Sequence, residues 1–341
     1  MQTLWELIED EAFAAVLKAP GEPVFAPLPE LLAGRTHAVV DLGEHALSPG
    51  AAAELSQVHQ TLRAQGTSLA YAAGVPATRG LCVVAFHRAQ DRDTKVLIDR
   101  ALAARTLAKG GSRLGDALAA MGVPELETTP GREASFIERG LARGMGWGMR
   151  MSAGYEAPFL ETMLTTYGVA GATGELSRSL QRALTRLEEM VGDWQAQVLA
   201  GLTAFGNGCG FCAPGHMYAA NLLYFEATGE LLPLDEREAR GWLSLSERWV
   251  RAQVLDSLQD AGHPELRQMA QRVFELRAGA TPVDALDCAL QTAHHAWTLV
   301  NECSLQNDPG PIQAIHPRVG RARRLQREYR LARERLALQA A

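Results

Sequence analysis

The chain of 341 residues has a formal net charge of -6, with 47% hydrophobic and 21% charged residues, a balance that suits a globular protein able to bury a sizeable core. The acidic total gives no global attraction to nucleic acid, and no apolar run is long enough to cross a bilayer. Five cysteines, an odd number, do not make a disulfide scaffold in a chain of this size.

The start, MQTLWELIEDEAFAAVLKAPGEP, carries acids early and has no basic stretch ahead of an apolar one. It does not read as a secretory signal, so a cytoplasmic location is expected. Residues 1–20 read as a short amphipathic helix with Leu4, Leu7, Ile8 and Val16 on one side. THAVVDLG (Thr36–Gly43) reads as a buried strand ending in a turn. Ser48–Gly66 then has a helical stripe through Leu55, Val58 and Leu62, with Pro49 near its start and Gly66 as its stop. TSLAYAAG and RGLCVVAFHRA are further strand candidates, and RDTKVLIDRALAARTLAKGG reads as a helix closed by glycines. This alternation predicts a small α/β domain over 1–120, followed by a linker at 121–133 rich in proline and glycine.

Beyond the linker the pattern is helical, so the chain as a whole is expected to be mainly α, with a helical domain over 134–315. One stripe runs through Leu176, Leu180, Leu184, Leu187, Val191, Trp194 and Val198, with Gly174 or Ser177 as its cap. Further helical stretches end at Gly229 and Gly262, and TPVDALDCALQTAHHAWTLVNECSL begins with Thr281 and Pro282 as cap and first-turn residue. The C-terminal helix, 316–341, is arginine-rich: RVGRARRLQREYRLARERLALQ holds eight arginines and two glutamates. With no stacking platform or recognition motif beside them, these arginines read as a solvated face or as a surface docked on acidic neighbours, not as a nucleic-acid site.

Cys82, Cys288 and Cys303 stand alone in apolar or helical surroundings and read as buried free thiols. Cys209 and Cys212 are different. In NGCGFCAPGH they lie three residues apart, with His216 four residues after Cys212. A helix starting at Cys209 would give that thiol the free N–H groups and dipole of its N-terminus, which favour a thiolate. Cys212 and His216 would share its face, so the imidazole could take the Cys212 proton. Cys212 then has the base and Cys209 the helix end; Cys212 is favoured as the nucleophile and Cys209 as the resolving partner. Pro214 interrupts the motif. The alternatives are a pair of small buried residues beside a satisfied histidine, or part of a zinc site. Zinc lacks a second paired motif, because the adjacent His294 and His295 would point in different directions on a helix. No cofactor and no metal are expected.

NGCGFCAPGH resembles the Asn-Gly-Cys-x-x-Cys-x-x-x-His signature of the alkylhydroperoxidase D-like family, also called the carboxymuconolactone decarboxylase superfamily. The similarity extends over about 134–305, from EAPFLETMLTTYGVAGATGELSRSLQRAL to TPVDALDCALQTAHHAWTLVNECSL. It implies an all-helical, oligomeric domain that reduces hydroperoxides through the cysteine pair and is itself reduced by a partner thiol or lipoyl-type protein. The family's redox members carry a glutamate about three turns before the first cysteine, where it feeds protons to the histidine. Here that position is Gln197, which can orient His216 but carries no proton. Glu188, Glu189 and Glu226 are the acids nearby, and each reads as a solvated surface residue. The catalytic set implied is therefore Cys209, Cys212, His216 and Gln197, acting on a hydroperoxide or disulfide substrate.

The N-terminal stretch HAVVDLGEHALSPGAAAELSQVHQTLRAQG is similar to STAS-type anti-anti-sigma domains, with Ser48 and Gly50 in the places of the family's phosphorylatable serine and turn glycine; Leu47 stands where an aspartate is usual. Two functions follow as expectations. The first is a thiol-dependent peroxidase or disulfide oxidoreductase. The second is a redox-sensing or catalytically weak regulatory protein that acts on a partner through the N-terminal domain.

Overall fold

The computed structural model describes residues 24–88, 91, 94–109, 117 and 132–340, together with the strands Glu6–Glu9 and Ala15–Lys18. The predicted linker at 121–133 lies almost wholly outside the described residues.

Five strands form one sheet in sequence order: β1 (Glu6–Glu9), β2 (Ala15–Lys18), β3 (His37–Asp41), β4 (Ser68–Ala72) and β5 (Lys95–Leu97). β1 pairs antiparallel with β2, and the remaining pairings are parallel. The helices α1 (Leu28–Leu31), α2 (Pro49–Ala64) and α3 (Pro76–Arg88) supply the crossovers, and α4 (Arg100–Lys109) follows β5. Side chains on β3 and β4 alternate between two covered faces. Ala38, Val40, Leu69 and Tyr71 pack with Leu55, Leu62 and Phe86, while Val39, Ala70 and Ala72 pack with Ala103 of α4. α2 starts with Pro49 in its first turn, as its sequence predicts, and Ser48 is the N-cap, accepting from the Ala51 N–H.

Three N-terminal expectations are corrected. The described parts of residues 1–20, where an amphipathic helix was expected, are the strands β1 and β2. RGLCVVAFHRA falls within α3, since a short buried apolar run has no period that separates strand from helix. RDTKVLIDRALAARTLAKGG divides into β5 and α4, because Lys95–Leu97 completes the sheet against Ala70–Ala72.

The rest of the described chain is helical: α5 (Phe136–Ala153), α6 (Leu160–Thr173), α7 (Glu175–Val191), α8 (Asp193–Gly206), α9 (Cys212–Thr228), α10 (Glu236–Gly241), α11 (Glu247–Asp260), α12 (Pro264–Arg277), α13 (Ala285–Ser304), α14 (Pro317–Gly320) and α15 (Arg323–Ala340). α8 and α9 form the centre of the main core, with Val250, Phe274, Leu290 and Trp297 packed around them. The apolar stripe from Leu176 to Val198 does not lie on one helix, because Gly192 adopts φ 94° and separates α7 from α8. The stretch ending at Gly262 breaks at Leu245, whose extended backbone carries the Glu247 N–H to the Gly74 carbonyl, 2.9 Å away. α13 begins at Ala285 with Asp284 as cap, accepting from the Asp287 N–H, and not at Thr281–Pro282. The arginine-rich end docks on acids as expected: Arg318 pairs with Asp193 and Glu226, and Arg333 lies 3.9 Å from Asp235. Cys82 and Cys303 are buried; Cys288 is exposed, contrary to the expectation for it.

A buried charge cluster joins the two parts. Arg79 of α3 and Arg277 of α12 share the carboxylate of Glu247, and the three side chains are 5%, 6% and 2% exposed. Arg79 also donates to the carbonyls of Ala73 (2.6 Å) and Gly206 (2.9 Å), holding the C-terminal end of β4 and the end of α8 together. Removing the only anion of such a cluster strands two cations in a dry interior. Glu247→Gln is expected to destabilise the protein by about 3–5 kcal/mol, read as a lowered urea midpoint. An unchanged midpoint would show that the cluster does not fasten the two parts.

Candidate functional site

The cysteine pair sits where α8 ends and α9 begins. Gly208, at φ 78°, closes α8: its N–H bonds the Phe205 carbonyl (2.8 Å), and the Cys209 N–H bonds that of Ala204 (3.0 Å). A side chain at Gly208 would overlap the Pro76 carbonyl, and one at Gly206 would overlap the Arg277 guanidinium. Cys209 therefore belongs to the closing turn of one helix. The next helix starts at Cys212, with Phe211 as its N-cap, and not at Cys209.

This geometry reverses the expected division of labour between the thiols. The Cys212 N–H points at the Cys209 sulfur, 3.2 Å away, so the helix end serves Cys209 from in front of it. Burial alone would raise the Cys209 thiol. Hydrogen bonds from the Cys212 side chain and from the Cys212 and Phe211 backbone N–H groups, with the Ser304 hydroxyl nearby, outweigh that and hold it below the usual thiol range. Cys212 is pushed well above that range by burial, by donating to Cys209 and by the charge on Cys209. The Cys212 N–H set on its sulfur favours the thiolate on Cys209.

His216 does not serve as a base for Cys212. Its Nδ1 lies 2.8 Å from Gln197 Oε1, and its Nε2 accepts from the Trp297 indole N–H at 2.9 Å. An indole only donates, so Nε2 keeps its lone pair, the proton sits on Nδ1, and neither nitrogen is left to take the Cys212 proton. Burial, with the nearby His316 adding to it, pushes the imidazole down to about 3, so it is neutral. Gln197 in turn donates to Glu188 at 3.3 Å. Glu188 is thus half-buried and raised mainly by burial, not the solvated acid expected from the sequence. Glu226 pairs with Arg318, and Glu189 is exposed. Gln197 orients His216 as predicted, within a fixed chain of bonds from Trp297 to Glu188.

Sequence spacing missed the groups that do reach the sulfurs. Asn301 and Ser304, on α13, lower the Cys212 thiol, and Ser304 also lowers that of Cys209. The Tyr155 hydroxyl is raised to about 12 by burial, with charge at Cys212 adding to it. These residues lie far from the motif in sequence, and only the packing of α13 and the α5–α6 connection against α9 brings them in. Both sulfurs are buried, Cys209 at 0% and Cys212 at 2% exposure. Two cavities come within one residue of them. One, of about 210 Å³, lies between the sheet and α13 and includes Asn301 in its wall; the other, of about 310 Å³, has Phe211 in its wall. His294 and His295 both line the first. Among the described residues no group of three or more His, Cys, Asp or Glu side chains is arranged to hold a metal. None of the helices described is long and apolar enough to cross a membrane.

The chain matches no family model, no curated protein and no solved structure.

Two outcomes are expected. In alkylation followed by mass spectrometry, the rate at Cys209 rises with pH at a lower midpoint than at Cys212, and Ser304→Ala moves the Cys209 midpoint up. Gln197→Glu places a carboxylate on the His216 N–H and raises the His216 midpoint from about 3, followed through the imidazole proton resonance. The sign for stability follows from the same shift. The unfolded histidine takes a proton near 6.5 that the folded one refuses, so wild-type stability falls as pH drops from about 6.5 toward 3. In Gln197→Glu that loss is smaller.

Proposed function

We propose that the protein is a dithiol redox protein of the alkylhydroperoxidase D-like kind, reducing a small hydroperoxide through Cys209 and Cys212. The observation that carries this reading is the Cys212 N–H set on the Cys209 sulfur at a helix start, an arrangement that makes one thiolate and keeps its neighbour protonated. The Cys209 thiolate attacks the distal oxygen of the hydroperoxide. The O–O bond breaks, the alkoxide leaves as alcohol after taking a proton, and Cys209 becomes a sulfenic acid. Cys212 then attacks that sulfur, releasing water and closing the disulfide. A partner dithiol, of thiol-protein or lipoyl type, returns two electrons and two protons. Complete burial of both sulfurs favours a small peroxide over a protein disulfide as oxidant. Tyr155, close to Cys212, is the proton donor this reading assigns to the leaving alkoxide. His216, held between Gln197 and Trp297, is a positioning residue that fixes α9 against α13. A cytosolic homo-oligomer is part of the same proposal.

A second reading is favoured by one contact. Arg79 and Pro76 of the α/β unit sit directly on the Gly206–Gly208 turn that carries Cys209. Closing a disulfide would pull on that turn, so the pair would act as a redox sensor that alters how the α/β unit, STAS-like in this reading, meets a partner.

One equivalent of peroxide is expected to remove two thiols and leave a Cys209–Cys212 disulfide, identified by mass spectrometry. Cys212→Ser should stop at a sulfenic acid on Cys209, and Cys209→Ser should not react. If both thiols survive peroxide and disulfide reagents in the wild type, the pair is structural and both readings fall.

A further inference from the structure

The cavity of about 210 Å³ between the sheet and α13 has features that the thiol chemistry does not use. Most of its wall is apolar, from Val83, Val96, Leu97, Ile98 and Leu305. One end is not. Arg79, Arg277, Asn207 and Asn301 converge there. The two guanidiniums share a single carboxylate, that of Glu247, so among the described residues the cluster carries one positive charge in excess at the cavity wall. Lys95 and Glu302 also line the cavity, with opposite charges that add nothing to the total. His294 is held neutral by burial and by the charges of Arg277 and His295.

Asn301 is fully buried, at 0% exposure. Its Oδ1 accepts from the Asn207 amide at 3.0 Å, but among the described residues its Nδ2 has no hydrogen-bond acceptor, and the His294 Nδ1 in the same wall also lacks a partner. A buried donor left unpaired is costly, and so is an uncompensated buried cation. One ligand group answers both: a carboxylate, which accepts from an amide and from a guanidinium at once and carries the missing negative charge. An apolar wall with a few converging polar groups, placed between two structural units, is the usual make-up of a small-molecule site. The volume sets the size. An engineered apolar cavity of about 150 Å³ holds benzene, so about 210 Å³ suits a body of roughly eight to ten non-hydrogen atoms.

We propose that this cavity binds a small organic carboxylate, its apolar body against Val96, Ile98 and Leu305 and its anionic head on Asn301 and the Arg79–Arg277 pair. The site stands whether or not the thiols are redox-active.

The test is calorimetric titration of the full chain with benzoate, phenylacetate and hexanoate, with benzamide as the neutral control. At least one acid is expected to bind saturably at one site per chain. Losing the head-group charge, as in benzamide, should weaken binding about tenfold or more. Ile98→Trp fills the cavity from its apolar wall and should abolish binding, while Asn301→Asp sets a like charge on the ligand and should weaken it by a similar factor. Circular dichroism of each variant separates lost binding from lost folding, and Ile98→Trp, remote from the charge cluster, decides the matter if Asn301→Asp does not fold. Failure of all three acids to bind, equal binding of benzoate and benzamide, or undiminished binding to folded Ile98→Trp would each overturn the proposal.

Discussion

Two guanidiniums on one buried carboxylate set the geometry on which the rest of the molecule depends. Arg79 comes from the α/β unit, Glu247 and Arg277 from separate helices of the larger part, and all three are withdrawn from water. A cluster of this kind gains little net stability over an apolar contact, but it tolerates only one relative placement of its members. Arg79 passes that placement on to the Gly206 carbonyl, and Arg277 passes it on to the Asn207 side chain, 3.1 Å away. The turn that presents Cys209 is therefore fixed from both sides by charges that lie outside the motif.

The thiols illustrate how a difference of three residues in a helix start changes the chemistry. With the helix beginning at Cys209, the second cysteine would stand one turn inside it, beside the histidine. Gly208 instead ends the preceding helix, so the new one begins at Cys212 and its first N–H serves the earlier sulfur. The histidine then has no thiol to serve. Trp297 and Gln197 occupy both of its nitrogens, and its neutrality at ordinary pH is a result of burial.

Much of this was legible in the sequence. The strand at THAVVDLG, the helix over Ser48–Gly66 and the helical character beyond Ala134 follow from local patterns, while the closeness of Gln197 to His216 was implied by the family resemblance. The short strands at Glu6–Glu9, Ala15–Lys18 and Lys95–Leu97 did not, because three or four residues carry too little period to distinguish them from helix and depend on sheet partners for their shape. Asn301 and Ser304 were not legible either. Single polar residues on an amphipathic helix have no signature until another helix brings sulfur to them. The break at Gly192 was readable in principle, since glycine is there, but the apolar stripe on either side keeps phase across it.

The Gly206–Gly208 turn also constrains how this sequence can change. A cysteine can become serine or alanine with a small change of volume, so the thiol chemistry could be lost in one step with the fold intact. The two glycines have no such freedom: any side chain at either one collides with Arg277 or with the Pro76 carbonyl. In a saturating mutational scan the most intolerant positions of this segment would then be residues with no side chain at all, and the tolerance map would trace the seam between the two parts of the molecule more sharply than it traces the thiols.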